Sequence, residues 1–337
     1  MPVPTAPIPQ TAAALRVDYR HEPLPALLAD RRLLVVFGFG DDAPRADPDS
    51  RYLHIALPAL APAPFECWFA AGPVQHGREY DIAWAADGAL QFGALVIPDH
   101  GDIETVAAQG YARLYAWLAG GGYPHALRVW NYMDAITEGD GDAERYRRFC
   151  VGRARGITTA LGRDLAPGEL PAATAIGHPR ATGRFQLFWL AAREAGTPID
   201  NPRQTQAWRY PRQYGPQAPG FSRAMLPPAG AQMPLLVSGT AAVVGHASQH
   251  GDALDRQLDE ALANLDSLIS AARLLRPELQ NNAGANTRLK VYVRDAEALA
   301  TVVAMLDARL PPELPRLVLH GEVCRRELAV EIDGVHA

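Results

Sequence analysis

A chain of 337 residues with 48% hydrophobic and 20% charged side chains has the composition of a globular protein long enough for two domains. The formal net charge of −5 at pH 7 argues against a general nucleic-acid binder, which needs a basic face, and no apolar run approaches the roughly 20 residues that span a bilayer. Three cysteines, Cys67, Cys150 and Cys324, with no CxxC pair exclude a disulfide framework and a thiolate zinc site.

In chain order, residues 1–10 read as a proline-rich extended arm without the basic start of a signal peptide, so a cytoplasmic protein is expected. Strands are predicted at 33–39, 52–57 and 66–71. A longer series follows: strand 90–98, helix 103–118 closed by Gly120, Gly121 and Gly122, strand 127–132, helix 143–161, then strands 172–176 and 185–192. A Pro- and Gln-rich connector occupies 198–234. The series then repeats as strand 233–244, helix 252–275, strand 288–293, helix 296–310 opening after Asp295, and strands 316–323 and 327–333. Leu254, Leu258, Leu262, Leu265, Ile269 and Ala272 give the first of those helices one apolar face. Both series have the order βαβαββ. The expected fold class is therefore α+β, two related domains with helices on one face of each sheet, over 1–195 and 196–337.

The final strand holds the first candidate for chemistry. Alternation places Leu328, Val330 and Ile332 on one face and Glu327, Ala329, Glu331 and Asp333 on the other, with Cys324 just upstream. A carboxyl fixed on a strand beside an apolar pocket can be desolvated until it donates a proton near neutral pH. The matching strand of the first series, from Phe185, has no acidic residue, so catalysis is expected in the second half, with the first as support.

The connector interleaves Arg203, Arg209, Arg212 and Arg223 with Trp208, Tyr210, Tyr214 and Phe221. Arginine forks beside tyrosine hydroxyls suit a small organic polyanion; by composition alone, a solvated linker with surface ion pairs is the stronger reading. Arg145, Arg148 and Arg155 share one face of the 143–161 helix, which also carries Gly152 and Arg153 in its middle, where glycine suggests close approach by another segment or a ligand. Gly239 interrupts the 233–244 strand, the sign of a bulge, a ligand contact or simple packing. His246 and His250 lack a third metal ligand. Gly38-Phe-Gly-Asp-Asp is not a dinucleotide fingerprint, and there is no GxSxG.

Taken together, Arg209-Tyr-Pro-Arg-Gln-Tyr-Gly-Pro, Phe221-Ser-Arg-Ala, Ser238-Gly-Thr-Ala with Gly245-His246, and Val323-Cys-Arg-Arg-Glu-Leu-Ala-Val-Glu-Ile resemble the chorismatases, a family with a RidA (YjgF-type) core. The resemblance covers most of the chain and is strongest from Asn131 onward. It implies a chorismate-cleaving lyase with Glu331 as proton donor and no cofactor or metal. Arg148, Arg153, Tyr210, Arg212, Tyr214 and Arg223 would hold the substrate, with Gly239, Thr240 and Cys324 at the pocket wall. Glycine at 239 and cysteine at 324 resemble the 3-hydroxybenzoate-forming subtype, whose nearest relatives in layout also give 4-hydroxybenzoate for pigment and ubiquinone synthesis. Chorismate hydrolysis, RidA-type enamine or imine hydrolysis, and a non-catalytic anion sensor are the alternatives. The expected partner is the small molecule, without nucleic acid or membrane, and the chain is a monomer or, as RidA relatives are, a trimer.

Overall fold

The structure, a computed structural model, describes residues 13–337. Three sheets share one central core, and the chain builds them in order. The first has four strands, β1 (Leu15–Arg20), β2 (Leu33–Phe39), β3 (Tyr52–Ile55) and β4 (Phe65–Ala70), in the spatial order β1-β4-β2-β3 with the short helix α1 (Leu24–Leu28) outside.

The second sheet comprises β5 (Gln75–Glu79), β6 (Ile82–Ala86), β7 (Leu90–Pro98), β8 (His125–Asp134), β9 (Ala172–His178) and β10 (Arg184–Ala192). Helices α2 (Ile103–Gly120) and α3 (Arg145–Leu161) cover one face. The third comprises β11 (Thr197–Ile199), β12 (Ala224–Leu226), β13 (Leu235–Ala241), β16 (Thr287–Val293), β17 (Arg316–His320) and β18 (Val330–His336). Helices α4 (Leu254–Arg273) and α5 (Leu299–Arg309) cover it, and β14 (Val243–Val244) with β15 (Ala247–Ser248) form a small hairpin before α4.

The spatial orders are β5-β6-β7-β10-β8-β9 and β11-β12-β13-β18-β16-β17, the same sequence of roles, with one parallel pair each (β8 with β9, β16 with β17). The duplicated α+β order is thus as expected. Each six-stranded sheet also begins with an antiparallel pair absent from the sequence reading: β5–β6, in which β5 is short and largely exposed, and β11–β12, three-residue strands at the two ends of the connector. The two sheets divide between Ala192 and Thr197.

Local causes account for the remaining differences. Helix α3 begins at Arg145, after a single 3-10 turn over Gly141–Ala143. Gly152 and Gly156 are there for helix packing: a Cβ at either would lie 2.1 or 2.4 Å from the carbonyl oxygens of Glu104 and Ala108 on α2. The last strand begins at Val330 rather than 327, because the α4 side chain of Gln257 accepts from the Ala329 N–H (2.7 Å) and donates to the Glu327 carbonyl (2.8 Å), holding 324–329 as a loop. Leu328 accordingly packs with Ala241, Val243 and Val323, away from Val330 and Ile332. Among the described residues, no helix is long and apolar enough to cross a membrane.

Candidate active site

Where the edge of the second sheet meets the third, Ser238 on β13 binds the two together. Its hydroxyl accepts from Ala173 N–H of β9 (2.9 Å) and donates to the Ser222 carbonyl (2.5 Å). Beside this seam lies a cavity of about 310 Å³, walled by α3, the connector, β13, the 324–328 loop and β18. That volume suits a small aromatic or alicyclic acid.

Glu331 projects into it from β18. The residue is 5% exposed, and its carboxyl is pushed up to about 8, first by burial and then by the negative charge of Asp333, against the opposing pull of Arg128, Arg223 and Arg294. The acid form therefore predominates at neutral pH. Gly239 makes this placement possible. A Cβ there would sit 2.0 Å from Glu331 Oε1, and the β13–β18 register shifts between Val237 and Thr240 at that point. Cys324, also on the wall, has its thiol pushed up to about 12 by burial and then by Glu331, so it faces the pocket as a neutral thiol.

Opposite the acid, the cavity is cationic. Arg153 is 5% exposed, lies 5.4 Å from the Phe149 ring centroid, and its Nη2 is buried without a hydrogen-bond partner. Arg223 donates to the Tyr210 hydroxyl (2.6 Å) and the Thr205 carbonyl (2.9 Å) while its Nε is left without a partner. Arg325 stacks on Tyr214 at 4.2 Å and near Tyr210 at 5.1 Å, and donates to the His246 carbonyl at 2.9 Å. Arg294 holds the loop that carries Arg325 and Cys324, through the carbonyls of Val323, Arg325 and Leu328. Among the described residues, no carboxylate lies within ion-pair distance of Arg153, Arg223 or Arg325, although they line one cavity. Buried guanidinium groups left without counter-ions define a site for an anion.

Glu331, Cys324, Arg153, Tyr210, Tyr214, Arg223 and Gly239, all named from the sequence, line this one space. Arg148, Arg212 and Thr240 do not. Arg148 is half exposed and paired with Asp102 (2.9 Å) and Glu104 (3.6 Å) of α2, while Arg212 is exposed and forks onto Asp142. Thr240 is buried with its hydroxyl on the Ser238 carbonyl (3.0 Å), as alternation from Gly239 turns it to the other face. The sequence reading missed Arg325 and Tyr146, although Arg325 directly follows Cys324 in a motif already singled out. His246 and His250 are not on a helix. The first faces the Tyr214 hydroxyl (3.1 Å) and the second Glu260 (3.4 Å).

A cavity that gathers Arg153, Arg223 and Arg325 around the buried Glu331 carboxyl has the makings of an enzyme pocket for a small organic anion. The family model "Chorismatase FkbO/Hyg5-like, N-terminal" matches residues 66–191. A chorismatase of Streptomyces rapamycinicus is 38% identical over 279 residues, 81% of this chain and 82% of the relative. A 3-hydroxybenzoate synthase of Streptomyces hygroscopicus is 33% identical over 316 residues, covering 90% and 92%. The crystal structure of a chorismatase at 1.08 Å superposes with a TM-score of 0.82 and 33% identity, over 97% of this chain and 99% of that one. The chain belongs to the chorismatase family.

Proposed function

We propose that the chain cleaves chorismate to 3-hydroxybenzoate and pyruvate, with Glu331 as the proton donor. The carrying observation is a carboxyl held up at about 8 by burial, facing guanidinium groups that have no carboxylate partner. Chorismate is a dianion, and Arg153, Arg223 and Arg325 are the groups that would take its two carboxylates. Tyr210 and Tyr214 orient Arg223 and Arg325, and their rings offer an apolar wall.

Glu331 gives its proton to the enolpyruvyl methylene, making a methyl group and an oxocarbenium centre. The ring C–O bond then breaks with its electron pair going to the ether oxygen, which leaves as the keto oxygen of pyruvate. The neighbouring ring hydroxyl attacks the carbon so exposed and releases its own proton. The epoxide opens, the ring carbon loses its hydrogen as a proton, and the phenol oxygen takes one up. Glu331 recovers the proton it gave, and no water is consumed. Opening the epoxide in the other sense gives 4-hydroxybenzoate. Gly239 and Cys324 leave little room beside Glu331, which disfavours a water that would divert the reaction to a diene diol.

The N-terminal half, residues 1–195, is the support in this reading and the C-terminal half carries the acid. The test is incubation with chorismate and identification of products by chromatography and mass, alongside Glu331→Gln. Hydroxybenzoate with equimolar pyruvate, lost in the variant, is expected. A diene diol would overturn the aromatising route, and no turnover would overturn the reading itself.

A further inference from the structure

Asp333 follows Glu331 by two residues on β18, so both carboxyls leave the same face of the third sheet. It is fully buried. Its Oδ2 accepts from Arg128 Nη2 (2.8 Å), the Thr174 hydroxyl (2.8 Å) and the Tyr292 hydroxyl (3.1 Å). Oδ1 has no hydrogen-bond donor, and Lys290 Nζ stands 3.6 Å from it, too far for a hydrogen bond. Lys290 is shared between two carboxylates: besides this ion pair with Asp333, its ammonium donates to both oxygens of Glu66, at 3.0 and 2.8 Å, where Trp68 Nε1 also donates at 2.8 Å.

These groups come from all three sheets, Glu66 from β4, Arg128 and Thr174 from β8 and β9, Lys290 and Asp333 from β16 and β18. Two cations and two carboxylates balance, and all four are at most 3% exposed. Arg128 still draws on the Glu331 carboxyl from within this cage, against the repulsion of Asp333. The other groups bearing on Glu331 are Arg223 from the connector, Arg294 beyond β16, Cys324 from the loop and Tyr146 from α3.

We propose that Asp333, caged by Arg128, Lys290 and the distant Glu66, is the positioning residue that holds Glu331 in its proton-bearing form. A fixed negative charge in a desolvated site opposes a second one beside it, and the cage keeps that charge from being fully neutralised. The first sheet, which touches no wall of the cavity, thereby acts on the acid through Lys290. This inference rests on the assignment of Glu331 as the acid.

The experiment reads the proton directly, without turnover. The protonated-carboxyl infrared band of Glu331, isolated by subtracting Glu331→Gln, is titrated in wild type, Glu66→Gln, Lys290→Met and Lys290→Arg. Glu66→Gln frees the ammonium to neutralise Asp333, so the midpoint is expected to fall by about half a pH unit or more. Lys290→Met leaves two carboxylates against one guanidinium, so it is expected to rise. Lys290→Arg keeps the charge and is expected to stay near wild type. Asp333→Asn, expected to lower the midpoint, replaces Lys290→Met if the latter does not fold. An unmoved midpoint in Glu66→Gln, or shifts of one sign in Glu66→Gln and Lys290→Met, overturns the proposal. Absence of chorismate turnover would leave this titration readable, so failure of the function and failure of the cage are separable.

Discussion

The two six-stranded sheets have one plan and opposite uses. In the first, the face of β10 away from the helices carries Gln186, Phe188, Leu190 and Ala192, and the last three join Phe37, Phe92 and Trp130 in the core shared with the first sheet. In the second, the same face of β18 carries Glu331, Asp333 and Val335, and Glu331 opens onto the cavity. Glycine on the neighbouring strand makes room in both sheets, for Trp189 on the helix-covered face of one and for Glu331 on the open face of the other. Gly93 on β7 admits the Trp189 indole, which a Cβ would meet at 2.2 Å, and Gly239 on β13 admits the Glu331 carboxyl. Duplication supplied a scaffold twice; one copy filled its free face with apolar bulk, and the other left an acid facing space. What separates them is side-chain content on two strands rather than topology.

The contrast breaks most sharply at Glu331. Replacing it by Gln keeps the shape and removes the donor, so kcat is expected to fall by about 10²–10⁴-fold with the thermal midpoint at pH 7 little lower or raised, checked by chorismate turnover and calorimetry. Arg223→Ala strips one guanidinium that has no carboxylate partner, and KM for chorismate is expected to rise by about 10–100-fold in steady-state assays. The glycine pair separates function from packing. Gly239→Ala pushes a flexible carboxyl aside and is expected to cost mainly kcat/KM, by about tenfold or more, because a displaced acid no longer meets the substrate. Gly93→Ala forces a buried ring to move and is expected to cost mainly stability, about 1–3 kcal/mol in denaturant melts. Reversed outcomes would erase the distinction between the halves.

The pH dependence of folding tests the acid without substrate. Glu331 titrates at about 8 in the folded chain against an ordinary 4.5, so the native state holds this proton more tightly than the unfolded one. Its stabilising contribution is full below about 4.5 and is lost as pH rises through about 8. Chemical denaturation from pH 5 to 9 should show a decline in wild type that Glu331→Gln lacks, and kcat/KM should fall over the alkaline end of that window.

Much of this plan was legible in the residues because periodicity marks buried elements. The α4 repeat at Leu258, Leu265 and Ile269 and the alternation at Glu331 and Asp333 both come from one-sided burial. The β5–β6 and β11–β12 pairs gave no such signal, being short or solvated. Arg148 and Arg212 were misplaced for another reason. Their partners, Asp102 and Asp142, lie 46 and 70 residues away, and no local pattern tells an arginine paired at long range from one left open for a ligand. The Glu66–Lys290 contact spans 224 residues and joins sheets that the chain order does not place side by side.

Lys290 is the chain's only lysine and is 3% exposed. This chain, once folded, therefore presents no accessible side-chain amine to acylating reagents, aldehyde cross-linkers or amine-directed surfaces. A lysine-specific protease likewise has one target bond, and it lies inside the central core. Cutting there requires the sheets to part, so the appearance of two fragments would time the opening of the core.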